Sequence, residues 1–204
     1  MVNEKILNAE FHIIRGVACT ELDNSQRAIN DYDMAIELNP RDTEAYIKRG
    51  NNYFYLGNFQ QAIKDYSEAI KLLPSAAIAY SNRGAAYNNI GNFQRAVEDF
   101  SKAIYLEPFE KADNYFDRGV VYSNLGDHQH AIDDFKEAIC QKPVNAYAYN
   151  NLGYVYGIIG HFHRAAYNFS KAIFLNPKYA EAQVGRCAKC LAMINVLLRI
   201  LAKL

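Results

Sequence analysis

All five prolines of this 204-residue chain, Pro40, Pro74, Pro108, Pro143 and Pro177, lie 34, 34, 35 and 34 residues apart. A fixed period of that size means one supersecondary unit copied in tandem. Gly16, Gly50, Gly84, Gly119 and Gly153 keep the same spacings, as do Tyr53, Tyr87, Tyr122 and Tyr156. Gly57, Gly91, Gly126 and Gly160 follow, and then Ala28, Ala62, Ala96, Ala131 and Ala165. The units run over 9–42, 43–76, 77–110, 112–145 and 146–179, after a lead-in at 1–8 and before a C-terminal segment at 180–204. Lys111 is left as one inserted residue, where a kink or a longer turn is expected.

Within a unit, apolar and aromatic residues follow helical spacing up to a glycine such as Gly57, which suits a left-handed helix C-terminus. A second helical run such as FQQAIKDYSEAIKLL stops before its proline, which disfavours helix in the residue preceding it. Each unit is therefore a helical hairpin, with Ala62 and Ala69 small where the helices approach and Tyr46, Tyr53 and Tyr66 filling the space between. No hairpin buries its apolar face alone, so neighbours must stack.

The Gly, Tyr, Ala, aromatic and Pro marks at these offsets resemble those of the tetratricopeptide repeat (TPR) family, over more than four fifths of the chain. The resemblance implies an all-α fold, a right-handed α-solenoid of five TPR hairpins with a C-terminal capping helix. It also implies a non-catalytic scaffold that binds a protein or peptide in a concave groove. The first unit departs from the pattern, with Cys19 for Tyr and Asp23 for Gly.

Equal numbers of acidic and basic residues, 22 of each, argue against a general nucleic-acid binder. The N-terminal stretch shows no long apolar run of a secretory signal, and the four cysteines are too scattered for a disulfide scaffold. A cytoplasmic site is the expectation.

Arg15, Arg49, Arg83 and Arg118 recur at the seventh position of four units, a ladder that invites a phosphate-binding reading. The twenty-third position carries Asp31, Asp65, Asp99 and Asp134 in the same four units, and the fifth unit replaces both partners, with Leu152 and Asn168. Four structural Arg–Asp pairs between the helices of each hairpin are the expectation.

With the fourth, eighth and eleventh positions of the first helix turned to the hairpin core, the second, fifth, sixth, ninth, twelfth and thirteenth lie on other sides. The family resemblance places that set along the groove. It nominates Lys48, Asn51, Tyr55, Asn82, Asn89, Phe116, Asp117, Asn151 and Tyr154 as peptide-binding residues, and gives Asn150 a groove position as well. Asn82 and Asn151 resemble the asparagine ladder with which some TPR superhelices hold peptide backbone, though Lys48 and Asp117 interrupt it. A second reading leaves these amides as solvated polar residues. The carboxylate clamp that holds acidic chaperone tails is matched at Asn51 and Asn82 but not at Ile47, Asp113 and Asp117. Glu10, Glu21, Glu44, Asp113 and Asp117 against Lys48 favour a neutral or basic peptide.

No catalytic motif, phosphate loop or zinc-protease signature is present, and no cofactor is expected. Cys187 with Cys190, and the His-x-His pairs at His128/His130 and His161/His163, are weak metal signals, read first as packing and turn residues. The stretch CLAMINVLLRILAKL is more apolar than a cap requires, which points to an interface. Self-association ranks first, then docking to another protein, then contact with a membrane surface. An assembly subunit that self-associates through this helix is the alternative function.

Overall fold

The computed structural model describes residues 2–107 and 112–177. Ten helices lie among them: α1 (Val2–Glu21), α2 (Ser25–Leu38), α3 (Thr43–Tyr55), α4 (Phe59–Leu72), α5 (Ala77–Asn89), α6 (Phe93–Leu106), α7 (Ala112–Leu125), α8 (His128–Gln141), α9 (Ala146–Ile158) and α10 (Phe162–Leu175). The chain divides into two compact units after Glu107. In the first, the hairpins α1/α2, α3/α4 and α5/α6 stack in sequence; in the second, α7/α8 stacks on α9/α10. The first helices of neighbouring hairpins touch within each unit, α1 with α3, α3 with α5, and α7 with α9. The inserted Lys111 and the 180–204 segment, with Cys187 and Cys190, lie outside the described residues. No helix among the described residues is long and apolar enough to cross a membrane.

Each hairpin is closed by the same local chemistry. The glycine after the first helix takes the left-handed conformation, with φ of 75° at Gly57 and Gly91. The Gly57 and Asn58 amides then reach back to Phe54 and Tyr53 carbonyls at 2.9 and 2.8 Å, satisfying carbonyls that the helix end would leave unpaired. Asp23 does the same work in the first hairpin with φ of 54°. In three hairpins the next helix is also capped by its preceding residue: Asn24, Asn92 and Asp127 each accept from the backbone N–H three residues on, whereas Asn58 and His161 make no such bond. Asp42 and Asn145 cap the first helices α3 and α9 in the same way.

The conserved spacing of the earlier glycine has a different cause. A Cβ on Gly50 would stand 2.7 Å from Cε1 of Tyr66, and one on Gly119 2.9 Å from Cε1 of Phe135. The position-eight glycine is the floor on which a fully buried aromatic of the second helix lies: Tyr32, Tyr66, Phe100, Phe135 or Phe169. Ala28, Ala62, Ala96, Ala131 and Ala165, together with Ala35, Ala69, Ala103, Ala138 and Ala172, are completely buried between the helices.

The first helices bury a second seam that the sequence reading did not assign. Positions three and ten, Ala45 with Asn52, Ala79 with Ala86, Asn114 with Val121 and Ala148 with Val155, are all buried. Asn52 shows how a polar residue survives there. Its Nδ2 donates to Thr20 Oγ1 in the preceding hairpin at 3.0 Å and to the Lys48 carbonyl at 2.9 Å.

Candidate functional site

The polar face of α3 and α5 carries a small network. Asn51 Oδ1 accepts from Tyr66 Oη at 2.8 Å and from Asn82 Nδ2 at 2.9 Å. The Tyr66 ring is buried in the hairpin core, and that burial pushes its phenol well above the usual range, so it stays a neutral donor. Asn51, Tyr66 and Asn82 line a concavity of about 270 Å³ whose apolar wall is Phe54, Tyr55, Ile78 and Ala85. The Asn51 N–H groups and the Asn82 carbonyl are what this wall leaves for a ligand.

The other nominated residues of the first unit stand beside this concavity. Lys48 Nζ lies 3.2 Å from Glu44 Oε1, so the one cation of the nominated face is paired with an acid of its own helix. Asn89 Nδ2 donates to the Ala85 carbonyl at 2.9 Å. Tyr55 is an exposed aromatic.

In the second unit the nominated residues spread out. Phe116 leans into the core, with its ring centroid 5.9 Å from that of Phe135, and does not belong wholly to an open face. Asn150 is buried, with Oδ1 lacking a partner, so its groove assignment is corrected. Ile47 and Phe116, at the same fifth position, also pack against buried clusters, because that position lies three residues before the core-facing eighth, on the same side of the helix. Asn151 Nδ2 donates to the Tyr147 carbonyl at 3.0 Å, and Tyr154 is exposed. Asp117 is mostly covered. Burial, then repulsion from Asp113, pushes its carboxyl up to about 6. Asp113 itself accepts from Lys142 Nζ at 2.7 Å.

The structure brings each arginine of the ladder onto its aspartate. Nε and Nη2 of Arg49, Arg83 and Arg118 each reach the two oxygens of Asp65, Asp99 and Asp134 at 2.7–2.8 Å, a two-pronged contact. Arg15 grips Asp31 similarly but is 54% exposed, against 17–18% for the other three. Between hairpins, Arg49 Nη1 also donates to Asp33 at 2.6 Å and Arg83 Nη1 to Ser67 Oγ at 3.0 Å. In the fifth unit Leu152 is buried, and Asn168 turns its amide to the Arg164 carbonyl at 2.8 Å. Asn52, Asp33 and Ser67 carry no signal in the sequence, since each acts across a repeat boundary and forms no pattern within a repeat.

The turn histidines are held locally. His130 stacks on Tyr122 and pairs with Asp127 at 2.7 Å, and His161 stacks on Tyr156. Among the described residues no group of three or more His, Cys, Asp or Glu side chains gathers as a metal site.

Sequence profiles described as TPR repeat and tetratricopeptide repeat match residues 50–91, 77–109, 112–144 and 146–179. The chain belongs to the tetratricopeptide repeat family. No curated protein matches it. Among solved structures, this TPR chain is similar to a crystal structure of MamA, with 29% identity and a TM-score of 0.75 over 81% of this chain and 96% of that one. MamA from residue 41 onward of Desulfovibrio magneticus RS-1 is 19% identical, with a TM-score of 0.78 over 84% and 96% of the two chains. YrrB, described as a TPR protein with an unusual peptide-binding site, is 22% identical, with a TM-score of 0.70 over 81% and 85%.

Proposed function

We propose that the protein is a non-catalytic interaction scaffold that holds an extended, neutral or basic peptide segment against the first helices of its TPR hairpins. The observation that carries this reading is the Asn51–Tyr66–Asn82 network beside an apolar wall. A peptide unit presents one N–H and one C=O, and the two amides supply the complementary acceptor and donor, already oriented by a buried phenol. Pre-orientation lowers the ordering cost of binding. Tyr55 and Phe54 supply apolar contact. Lys48 is neutralised by Glu44 and Asp117 is the covered carboxylate of the second unit, so the faces favour a cationic side chain over an anionic one. Asn89 adds to this contact within the first unit; Asn151 and Tyr154, with the partly buried Phe116, are the corresponding face of the second. The Arg–Asp pairs serve the scaffold: their hydrogen-bonding capacity is spent between helices.

Each amide is worth about 0.5–1.5 kcal/mol net, a factor of roughly two to twelve in affinity, and the whole contact reaches the micromolar order. The test is a random-peptide display selection on the wild type, followed by titration of the selected peptides against Asn51→Ala, Asn82→Ala and the double variant. Enrichment of neutral or basic sequences, with loss of affinity in both variants and an unchanged circular dichroism spectrum, is expected. Selected peptides that bind the double variant as tightly as the wild type would remove the amides from the site.

A further inference from the structure

Within each unit, the later first helices α3, α5 and α9 use positions three and ten as their seam against the preceding hairpin, and α1 presents the same positions bare. Leu7, Phe11, Ile14 and Ala18 on α1, with Leu22 just past its end, form an exposed stripe, with Leu7, Phe11, Ile14 and Leu22 being 66%, 57%, 70% and 79% accessible. Their spacings of four, three, four and four residues place them on one side of the helix, the pattern of a helix–helix seam. Glu10 and Glu21, both exposed, flank the stripe on one side. Arg15, across it, is committed to Asp31.

One segment of the same chain has the complementary chemistry. Leu191, Ile194, Leu198 and Leu201 repeat at three, four and three residues, again a seam spacing, in a stretch far more apolar than a cap requires. From residue 182 onward the sequence holds Arg186, Lys189, Arg199 and Lys203 and no acidic residue. An apolar seam on a segment that carries only basic charge meets an apolar seam with acidic flanks.

We propose that the α1 stripe receives residues 190–204 of a second copy of this chain. The two surfaces differ, so the contact is head-to-tail and each bound copy presents a further free stripe and a further free tail. This goes beyond the peptide-binding reading and does not depend on it, because the α1 stripe lies apart from the Asn51–Asn82 concavity.

The test uses the full chain in sedimentation equilibrium over a concentration series, with two single variants. Ile14→Glu changes an exposed side chain and leaves the hairpin core intact; Leu198→Glu disables the tail. The wild type is expected to gain mass with concentration, and each variant to associate at least about tenfold more weakly. An equimolar mixture of the two variants should form a one-to-one dimer, since one supplies an intact tail and the other an intact stripe. Glu10→Lys with Glu21→Lys should weaken the wild-type contact about two- to fivefold at low salt, with the difference fading at high salt. A wild type that stays monomeric overturns the proposal. So does full association by Leu198→Glu alone, which would mean stripe pairing with stripe, by Ile14→Glu alone, which would mean tail pairing with tail, or a mixture that yields no complex.

Discussion

Asp31 and Asp65 occupy the same repeat position and hold the same arginine contact, yet their carboxyls move in opposite directions. The hydrogen bond from Arg15 holds Asp31 below the usual range, whereas burial raises Asp65 against the pull of Arg49. Identical chemistry thus titrates by its surroundings, and Asp117, lacking a cation, shows the effect most plainly. Its folded carboxyl keeps a proton up to about pH 6, while an unfolded one loses it near pH 4. Between those values the folded chain binds more protons than the unfolded, so this group's contribution to stability declines as pH rises through that window and stays low above it. Asp117→Asn is expected to remove that decline and to gain about 1–3 kcal/mol at pH 7, read from urea midpoints at pH 4, 5, 6 and 7. Equal midpoint shifts at all four pH values would show that the carboxyl is not the source.

At the scale of the hairpin, the glycine at position eight and the aromatic at position twenty-four form one device, and its tightness varies. The Cβ that would meet Tyr66 at 2.7 Å on Gly50 would meet the Phe100 ring no closer than 3.3 Å on Gly84. Overpacking a buried ring costs about 1–3 kcal/mol, against a helix gain of about 1 kcal/mol on replacing Gly by Ala. Gly50→Ala should therefore destabilise by up to roughly 2 kcal/mol, and Gly84→Ala should be neutral or stabilising by up to about 1 kcal/mol; thermal melts of the two variants compare them directly, and an equal loss in both would refute the graded contact. The sequence showed that Gly50 recurs, and the period gave the hairpins and the Arg–Asp partners. It did not show what the glycine faces, because a glycine has no side-chain chemistry to name its partner, as the charges of Arg49 and Asp65 do across the same sixteen residues. The amides divide in the same way. Asn82 lines the concavity beside Asn51, while Asn150, one residue before Asn151, turns inward, since a single helical step separates an open face from a buried one.

Within each unit of the molecule, contacts run between sequential hairpins, so stability is a sum of local terms and nearest-neighbour seams, not one shared core. The buried clusters reflect this: Ala62, Tyr66 and Ala86 form one in the first unit, and Phe135, Leu152 and Phe169 belong to another in the second. Polar links such as Asn52 with Thr20 and Arg49 with Asp33 tie the first hairpin to the second. A strain placed at Gly50 consequently acts on α3/α4, then on α1/α2 and α5/α6 through those seams, with α9/α10 least affected. Hydrogen exchange of Gly50→Ala read by mass spectrometry in low urea should show protection falling in residues 43–72 first and in their neighbours next. Protection in residues 146–175 should stay at the wild-type level. A uniform loss across all ten described helices would mean that the array unfolds as a single cooperative body, and that the additive account of its repeats fails.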